Sequence, residues 1–370
     1  MTRPTRAVVD LDAIAGNLRV LRERAGGADV IPVVKGDAYG HGAVPVARRL
    51  GSEGARRFAV ALLEEGLALR EAGIAGEILL LSSGDPADFP LFSPARLTPS
   101  VHDLAQLRAL GAAAAAARLA APLGVHLELD TGMGRLGVRS EELPAVIEAF
   151  RSTPSLRLAG TFTQFASATE PELESTAVQI RNFRGGVAAL RDGGVDPGLL
   201  HASNSAGTLA FGEARFDAVR PGIALYGIPP SESVGDRALR AALSLETAVL
   251  SVKTVPSQTP IGYGGTFVTS RTTRVAALPI GYHDGFRRSL SGEIAVLIRG
   301  GYAPVVGAVS MDLTLVDATD CGAEAGDRVI LLGSDGAREI AAWDLARAAR
   351  TIPYEIVCGI SARVPRVYLP

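Results

Sequence analysis

Short apolar runs alternate with amphipathic stretches through the first two-thirds of this chain. The β-rich runs at 30–34, 58–61, 77–81, 96–99, 125–130, 157–162, 199–203 and 216–220 predict strands. Helical periodicity lies between them. Residues 13–23 follow the candidate cap Asp12 and set Ile14, Leu18 and Leu21 on one face. Residues 62–71 run to a stop at Gly73, 141–150 follow Ser140, and 172–190 form a long helix. About eight strand–helix pairs predict a TIM-type (β/α)8 barrel. A doubly wound sheet would have fewer pairs and a glycine-rich dinucleotide loop after its first strand, and no such loop follows 8–11 or 30–34.

After Gly227 the texture changes. Residues 228–236 are rich in Pro, Ser and Gly and read as a linker. Closely spaced β-like runs follow at 245–254, 274–279, 294–298, 303–309, 313–317 and 328–332, with a single helix at 340–349 around Trp343. The prediction is an α/β plus β protein: a barrel domain over 1–228 and a mainly β domain over 229–370. With 47% hydrophobic residues among 370, the chain can build a large core. A net charge of -2 offers no basic surface for nucleic acid. Cys321 and Cys358 are too few for a disulfide framework and read as buried or half-buried thiols. No apolar run reaches the ~20 residues of a membrane span, and the N-terminal stretch lacks the apolar region of a secretory signal. A soluble cytoplasmic protein is expected.

Two local features carry chemistry. Pro32-Val-Val-Lys-Gly-Asp-Ala-Tyr-Gly-His-Gly42 puts Lys35 at the C-terminal end of an apolar strand, the end of a barrel that holds active sites. Partial desolvation there favours the neutral amine, which can hold an aldehyde cofactor as a Schiff base. On position alone Lys35 reads equally well as an ordinary surface lysine. The second feature shifts the balance. Leu200-His-Ala-Ser-Asn-Ser-Ala-Gly207 and Val219-Arg-Pro-Gly-Ile-Ala-Leu-Tyr-Gly227 fall where barrels bind phosphate, with the Ser205 hydroxyl and backbone amides near Gly222 as donors. A phosphate grip opposite such a lysine suits pyridoxal phosphate, with Arg220 at the pyridine nitrogen.

Further markers are Asp130-Thr-Gly-Met-Gly-Arg-Leu-Gly137, Gly262-Tyr-Gly264, Gly281-Tyr-His-Asp-Gly285, Ser310-Met-Asp312 and Thr351-Ile-Pro-Tyr-Glu355. Each is weak alone. In this order across both domains, they make the sequence resemble the alanine racemase family, which are fold-type-III pyridoxal-phosphate enzymes. The resemblance implies a homodimer with shared active sites, in which Lys35 carries the cofactor and Tyr263 of the other subunit is the opposing base. It assigns the phosphate to Tyr39, Ser205, Gly222, Ile223 and Tyr354, and the cofactor's surroundings to Arg135, Gln164, His201, Asn204 and Arg220. The substrate would meet Arg135, Tyr282, the Met311 backbone and Asp312. The strand at about 6–10 would join the C-terminal domain. No metal is implied, and His41, His102 and His126 read as local, structural or surface groups.

The sequence departs from the family at several positions. Glu128 stands where many members carry a carbamylated lysine, and as a carboxylate it could orient Arg135 directly. Gln164 replaces a histidine and can bridge by hydrogen bonds but cannot titrate. Ala308, Pro353 and His283 replace residues expected near the active-site rim. The expected activity is interconversion of L- and D-alanine for peptidoglycan. The alternative is a racemase for serine, basic or several amino acids. Less favoured are a fold-type-III decarboxylase, which carries a Cys in a different C-terminal constellation, and a non-catalytic pyridoxal-phosphate-binding protein, which is a single barrel.

Overall fold

Strand β1 (Arg6–Asp10) opens the chain, and the next eight strands run parallel. These are β2 (Asp29–Val30), β3 (Arg57–Val60), β4 (Glu77–Leu80), β5 (Leu97–Val101), β6 (Leu123–Glu128), β7 (Leu156–Phe162), β8 (Leu199–His201) and β9 (Ala218–Val219). The computed structural model describes residues 3–82, 85–170 and 174–370. Strands β3 to β9 pair in sequence order, and β2 pairs with β9. The sheet returns on itself where Val33 bridges Ala59, with the Val34 N–H donating to the Ala59 carbonyl at 2.8 Å. Strand β2 is shorter than the run 30–34 because Pro32 brings no N–H to the ladder.

Helices cover the barrel because each has one apolar face. Leu11–Ala25 buries Ile14, Leu18 and Leu21 and starts one residue before the expected cap Asp12. Leu104–Ala117 is capped by Asp103, whose carboxylate accepts the Gln106 N–H at 2.7 Å. The helix expected over 172–190 is seen as Ser175–Asp192, and residues 172 and 173 lie outside those described. By contact, one unit comprises Ala13–Ala38 and Ala43–Arg240.

The other unit comprises the chain up to Asp12, Tyr39–Gly42 and Ala241–Pro370, and it is mainly β. In its largest sheet β1 lies between Leu243–Ala248, antiparallel, and Arg366–Leu369, parallel. The run 245–254 is two strands, not one. It breaks at Val249, and Ser251–Val255 enters a separate three-stranded sheet with Thr273–Leu278 and Thr314–Asp317. The single helix expected at 340–349 is Ala342–Ala349, and a second follows at Pro353–Cys358, with Pro353 in its first turn, where a missing N–H costs nothing. Cys358 is exposed and Cys321 half-buried. Among the described residues no helix is long and apolar enough to cross a membrane.

Candidate functional site

The C-terminal end of the barrel gathers most of the chemistry of the first unit. Lys35 follows Val34 directly and is half-buried. The chain then turns left-handed, with φ of 62° at Gly36, 53° at Asp37, 54° at Ala38 and 54° at Tyr39. Three of these residues carry a Cβ, so the turn is strained by roughly 1–2 kcal/mol each. Polar contacts hold it: the Gly36 N–H donates to Glu65 at 2.6 Å and the Ala43 N–H to Asp37 at 2.7 Å.

Arg220 follows β9 and is buried. Its Nη1 donates to the His201 ring Nδ1 at 2.6 Å and to the His201 carbonyl at 2.8 Å. Its Nη2 donates to the carbonyls of Thr163 at 2.7 Å and Ala202 at 3.3 Å, and to the Gln164 amide oxygen at 3.4 Å. Among the described residues these neutral acceptors leave the Nε–H without a protein partner. Burial lowers the Arg220 pKa to about 10, against the pull of Glu128, so the group stays cationic at neutral pH. A cation in such surroundings disfavours a second positive charge beside it.

His201 stacks on Phe162, with ring centroids 5.1 Å apart and planes within 4°, and its Nε2 lies 2.8 Å from His126 Nδ1. His126 stands on β6 and His201 on β8. Their rings meet across β7 because Gly160 carries no side chain; a Cβ there would sit 2.5 Å from His126 Cε1. Gly160→Ala is therefore expected to lower stability by about 1–3 kcal/mol through overpacking. Urea unfolding checks this, and an unchanged midpoint would contradict the packing.

Both rings are held neutral. Burial, with Arg220 next, pushes His126 down to about 3 and His201 well below its usual 6.5. In the unfolded chain they titrate near 6.5, so below that pH the unfolded state binds more protons. Stability from this pair is complete above pH ~6.5 and falls as pH drops, by up to about 1.4 kcal/mol per pH unit per histidine. A lower urea midpoint at about pH 5.5 than at about pH 7.5 is expected, and His126→Asn should shrink the difference. An equal difference in the variant would count against this origin.

Glu128 ends β6 and is buried. Its Oε2 lies 2.8 Å from His102 Nδ1, so its close partner is His102 and not Arg135, which is exposed on the following loop. Asp130 shapes that loop by accepting the N–H groups of Gly132, Met133 and Gly134 at 3.1, 3.0 and 3.0 Å. Gln179 holds the Gln164 segment, accepting from the Ala166 N–H at 2.9 Å and donating to the Gln164 carbonyl at 2.9 Å. Asp130 opens the marker 130–137, but the sequence does not show which amides it gathers, and nothing in the sequence marks Gln179.

Ser205 is buried, and its hydroxyl accepts the N–H groups of Gly222 at 2.9 Å and Ala224 at 3.2 Å. Its own hydrogen is left to give, which is the donor an anion needs, and buried Ile223 lies between those two amides. Asn204 instead caps the helix Ser205–Ala210, accepting the Gly207 N–H at 3.0 Å. A lysine at a strand end, a serine hydroxyl gathered by amides and a buried arginine fit pyridoxal phosphate in the charge and donors it requires.

In the second unit, Tyr39 and Tyr354 face each other with ring centroids 6.0 Å apart, and burial raises the Tyr354 pKa to about 12, which keeps it a neutral donor. Tyr263 stands on the turn between the paired strands Pro260–Ile261 and Phe267–Val268 and is 74% exposed. Gly262 beside it packs against the Ala308 backbone. Tyr282 and Met311 are exposed neighbours, because Gly281 lets the chain pass against the Ser310 and Met311 carbonyls, where a Cβ would lie 2.2 Å from one oxygen. Asp284, wholly buried, binds Arg3 at 2.6 Å, Arg363 at 2.7 Å and the Gly281 N–H at 3.0 Å. Arg363 also holds Asp312 at 2.6 Å. His283 is exposed, whereas Pro353 is buried.

The family described as alanine racemase, N-terminal domain matches residues 9–230, and that described as alanine racemase, C-terminal domain matches residues 242–368. The chain is 41% identical over 371 residues to the alanine racemase of Halothermothrix orenii, which spans 100% of this chain and 97% of that one. It is similar to the solved alanine racemase of the D-cycloserine producer Streptomyces lavendulae, with TM-score 0.95, 39% identity, and 100% and 98% of the two chains covered. A second solved relative, from Bartonella henselae with covalently bound pyridoxal phosphate, has TM-score 0.90 and 28% identity, covering 99% of each chain.

Proposed function

This chain belongs to the alanine racemase family, and from that premise we propose that it interconverts L- and D-alanine with pyridoxal phosphate, using Lys35 and Tyr263 as bases on opposite faces of Cα. One observation carries the reading. The C-terminal end of a single barrel brings a half-buried lysine, a serine hydroxyl gathered by two amides, and a buried arginine held by neutral acceptors.

Bound pyridoxal phosphate supplies an aldehyde that links to amines and a ring that withdraws charge from Cα. Lys35 would hold the cofactor between turnovers, and its Nζ, when free, would move the proton on one face of Cα. Tyr263 Oη, contributed by a second copy, exchanges it on the other, so inversion needs no turning of the substrate. Arg220, a buried cation, would sit at the ring nitrogen and disfavour a proton there, which would limit how far charge leaves Cα and disfavour side reactions. Ser205, Gly222 and Ile223, with Tyr39 and Tyr354, take the phosphate. Arg135 and the Met311 N–H take the substrate carboxylate, Tyr282 lines the substrate side, and the Asp312–Arg363 ion pair braces the segment.

The exposure of Tyr263, Tyr282 and Met311 supports a homodimer in which a second copy covers them. We place the enzyme in the cytoplasm, supplying D-alanine for peptidoglycan. Glu128 brings its own carboxylate to the position of the carbamylated lysine, braced by His102, so activity should be unchanged by added or stripped bicarbonate. A strict bicarbonate requirement would reject that substitution. The function is tested by the visible absorbance of purified protein and by D/L interconversion on alanine, serine, lysine and arginine. Alanine should be turned over fastest. A bound cofactor with no racemisation of any substrate would overturn the proposal, and serine or a basic amino acid leading would favour the broader alternative.

A further inference from the structure

The buried His126 plays no part in the chemistry above, yet its ring is joined to Arg220 through one intermediary. A guanidinium can only donate, so the 2.6 Å contact of Arg220 Nη1 with His201 Nδ1 requires a lone pair on that nitrogen. In the neutral ring the hydrogen then lies on Nε2, which faces His126 Nδ1 at 2.8 Å. His126 Nδ1 must accept, which puts its own hydrogen on Nε2, toward Glu77 Oε1 at 3.9 Å. One fixed donor thus sets every proton along the row Arg220, His201, His126.

We infer that His126 is a positioning residue for the reaction: by accepting from His201 it fixes the tautomer that keeps Arg220 aimed as a donor at the cofactor's ring nitrogen. This rests on the reading of Arg220 given above. Three features hold His126 to the task. Gly160 leaves the space its ring occupies. Its ring lies 4.9 Å from that of His201, tilted by 50°, and the His201 ring is pinned flat on Phe162. The charged groups around the two rings are Arg220, Arg57 and Arg157, with Glu77 the carboxylate facing His126, so cations surround both rings and oppose protonation.

Without an acceptor at position 126, His201 has two poor arrangements. It can bury an unpartnered Nε2–H, or move that hydrogen to Nδ1, where it meets the Arg220 N–H head-on. Either loosens the contact that orients the guanidinium. Asparagine is the conservative replacement, because its side-chain oxygen stands close to where Nδ1 stands; leucine fills space and accepts nothing.

The test uses the full-length protein as purified, labelled with 15N-histidine. In the wild type, His201 and His126 should both give the neutral Nε2–H pattern from about pH 8 down to about pH 5.5. This measurement needs no variant, so it stands even if a variant fails to fold. His126→Leu should disturb the His201 pattern, alter the pH course of the bound cofactor's visible band, and lower kcat/KM about tenfold. His126→Asn should restore all three toward wild type. An Nδ1–H or protonated His201 in an active wild type would overturn this inference alone. So would a folded His126→Leu with unaltered band and rate. A wild type that racemises nothing would overturn the reading of the site and this inference with it.

Discussion

Lys35→Ala is expected to abolish racemisation, lowering kcat/KM by at least about 10⁴-fold, because covalent attachment and one of the two bases are lost together. The fold should survive. Lys35 sits at the open end of its strand and is half-buried, and the turn after it is held by Glu65 and by Asp37, contacts the substitution leaves in place. Circular dichroism should match wild type while the visible band of covalently held cofactor disappears. Activity within tenfold of wild type would remove Lys35 from the mechanism.

Tyr263→Phe should lower racemisation by about 10²–10⁴-fold, the usual contribution of a positioned acid–base group, while leaving the cofactor band intact. Two further readouts make this more than loss of activity. With Lys35 as the remaining base, one enantiomer of alanine should still exchange its Cα hydrogen in heavy water without inverting. The two inactive variants should also rescue each other. If each site combines Lys35 of one copy with Tyr263 of the other, a mixed dimer has one complete site. Half the dimers in an equal mixture are mixed, so about a quarter of wild-type activity should return. No rescue after subunit exchange would place both residues on one chain.

How far the sequence reached depends on what kind of signal a feature leaves. Each barrel strand announced itself by composition, and β3 to β9 lie within a few residues of their expected places. Strand β2 falls short because Pro32 breaks the ladder, and 245–254 divides at Val249, a break that no Gly or Pro marks in the sequence. The left-handed turn after Lys35 was not legible: Gly36 alone hints at it, and nothing marks Asp37, Ala38 and Tyr39 as residues with positive φ. Local motifs singled out Lys35, Ser205 and Arg220, which lie together at the C-terminal end of the barrel. His126 and His102 read as structural or surface groups and are buried, and their partners were not legible, because a lone histidine in an apolar strand looks the same whether its partner is water or a ring 75 residues away. Glu128 shows the same limit: its sequence position suggested Arg135, but the neighbouring strand brings His102 closer.

The pairing of β1 has a consequence for synthesis. This strand is flanked by Leu243–Ala248 and by Arg366–Leu369, both made long after it. At roughly 5–20 residues per second, the ribosome needs roughly twenty seconds to over a minute to deliver the final neighbour. Until then one edge of β1 stays open on the nascent chain, available to other strands. The barrel strands have no such wait, since β2 to β9 are all delivered by Val219. A chain lacking Arg366–Leu369 would leave that edge bare for good, so disturbing this short strand should harm the protein more than its size suggests.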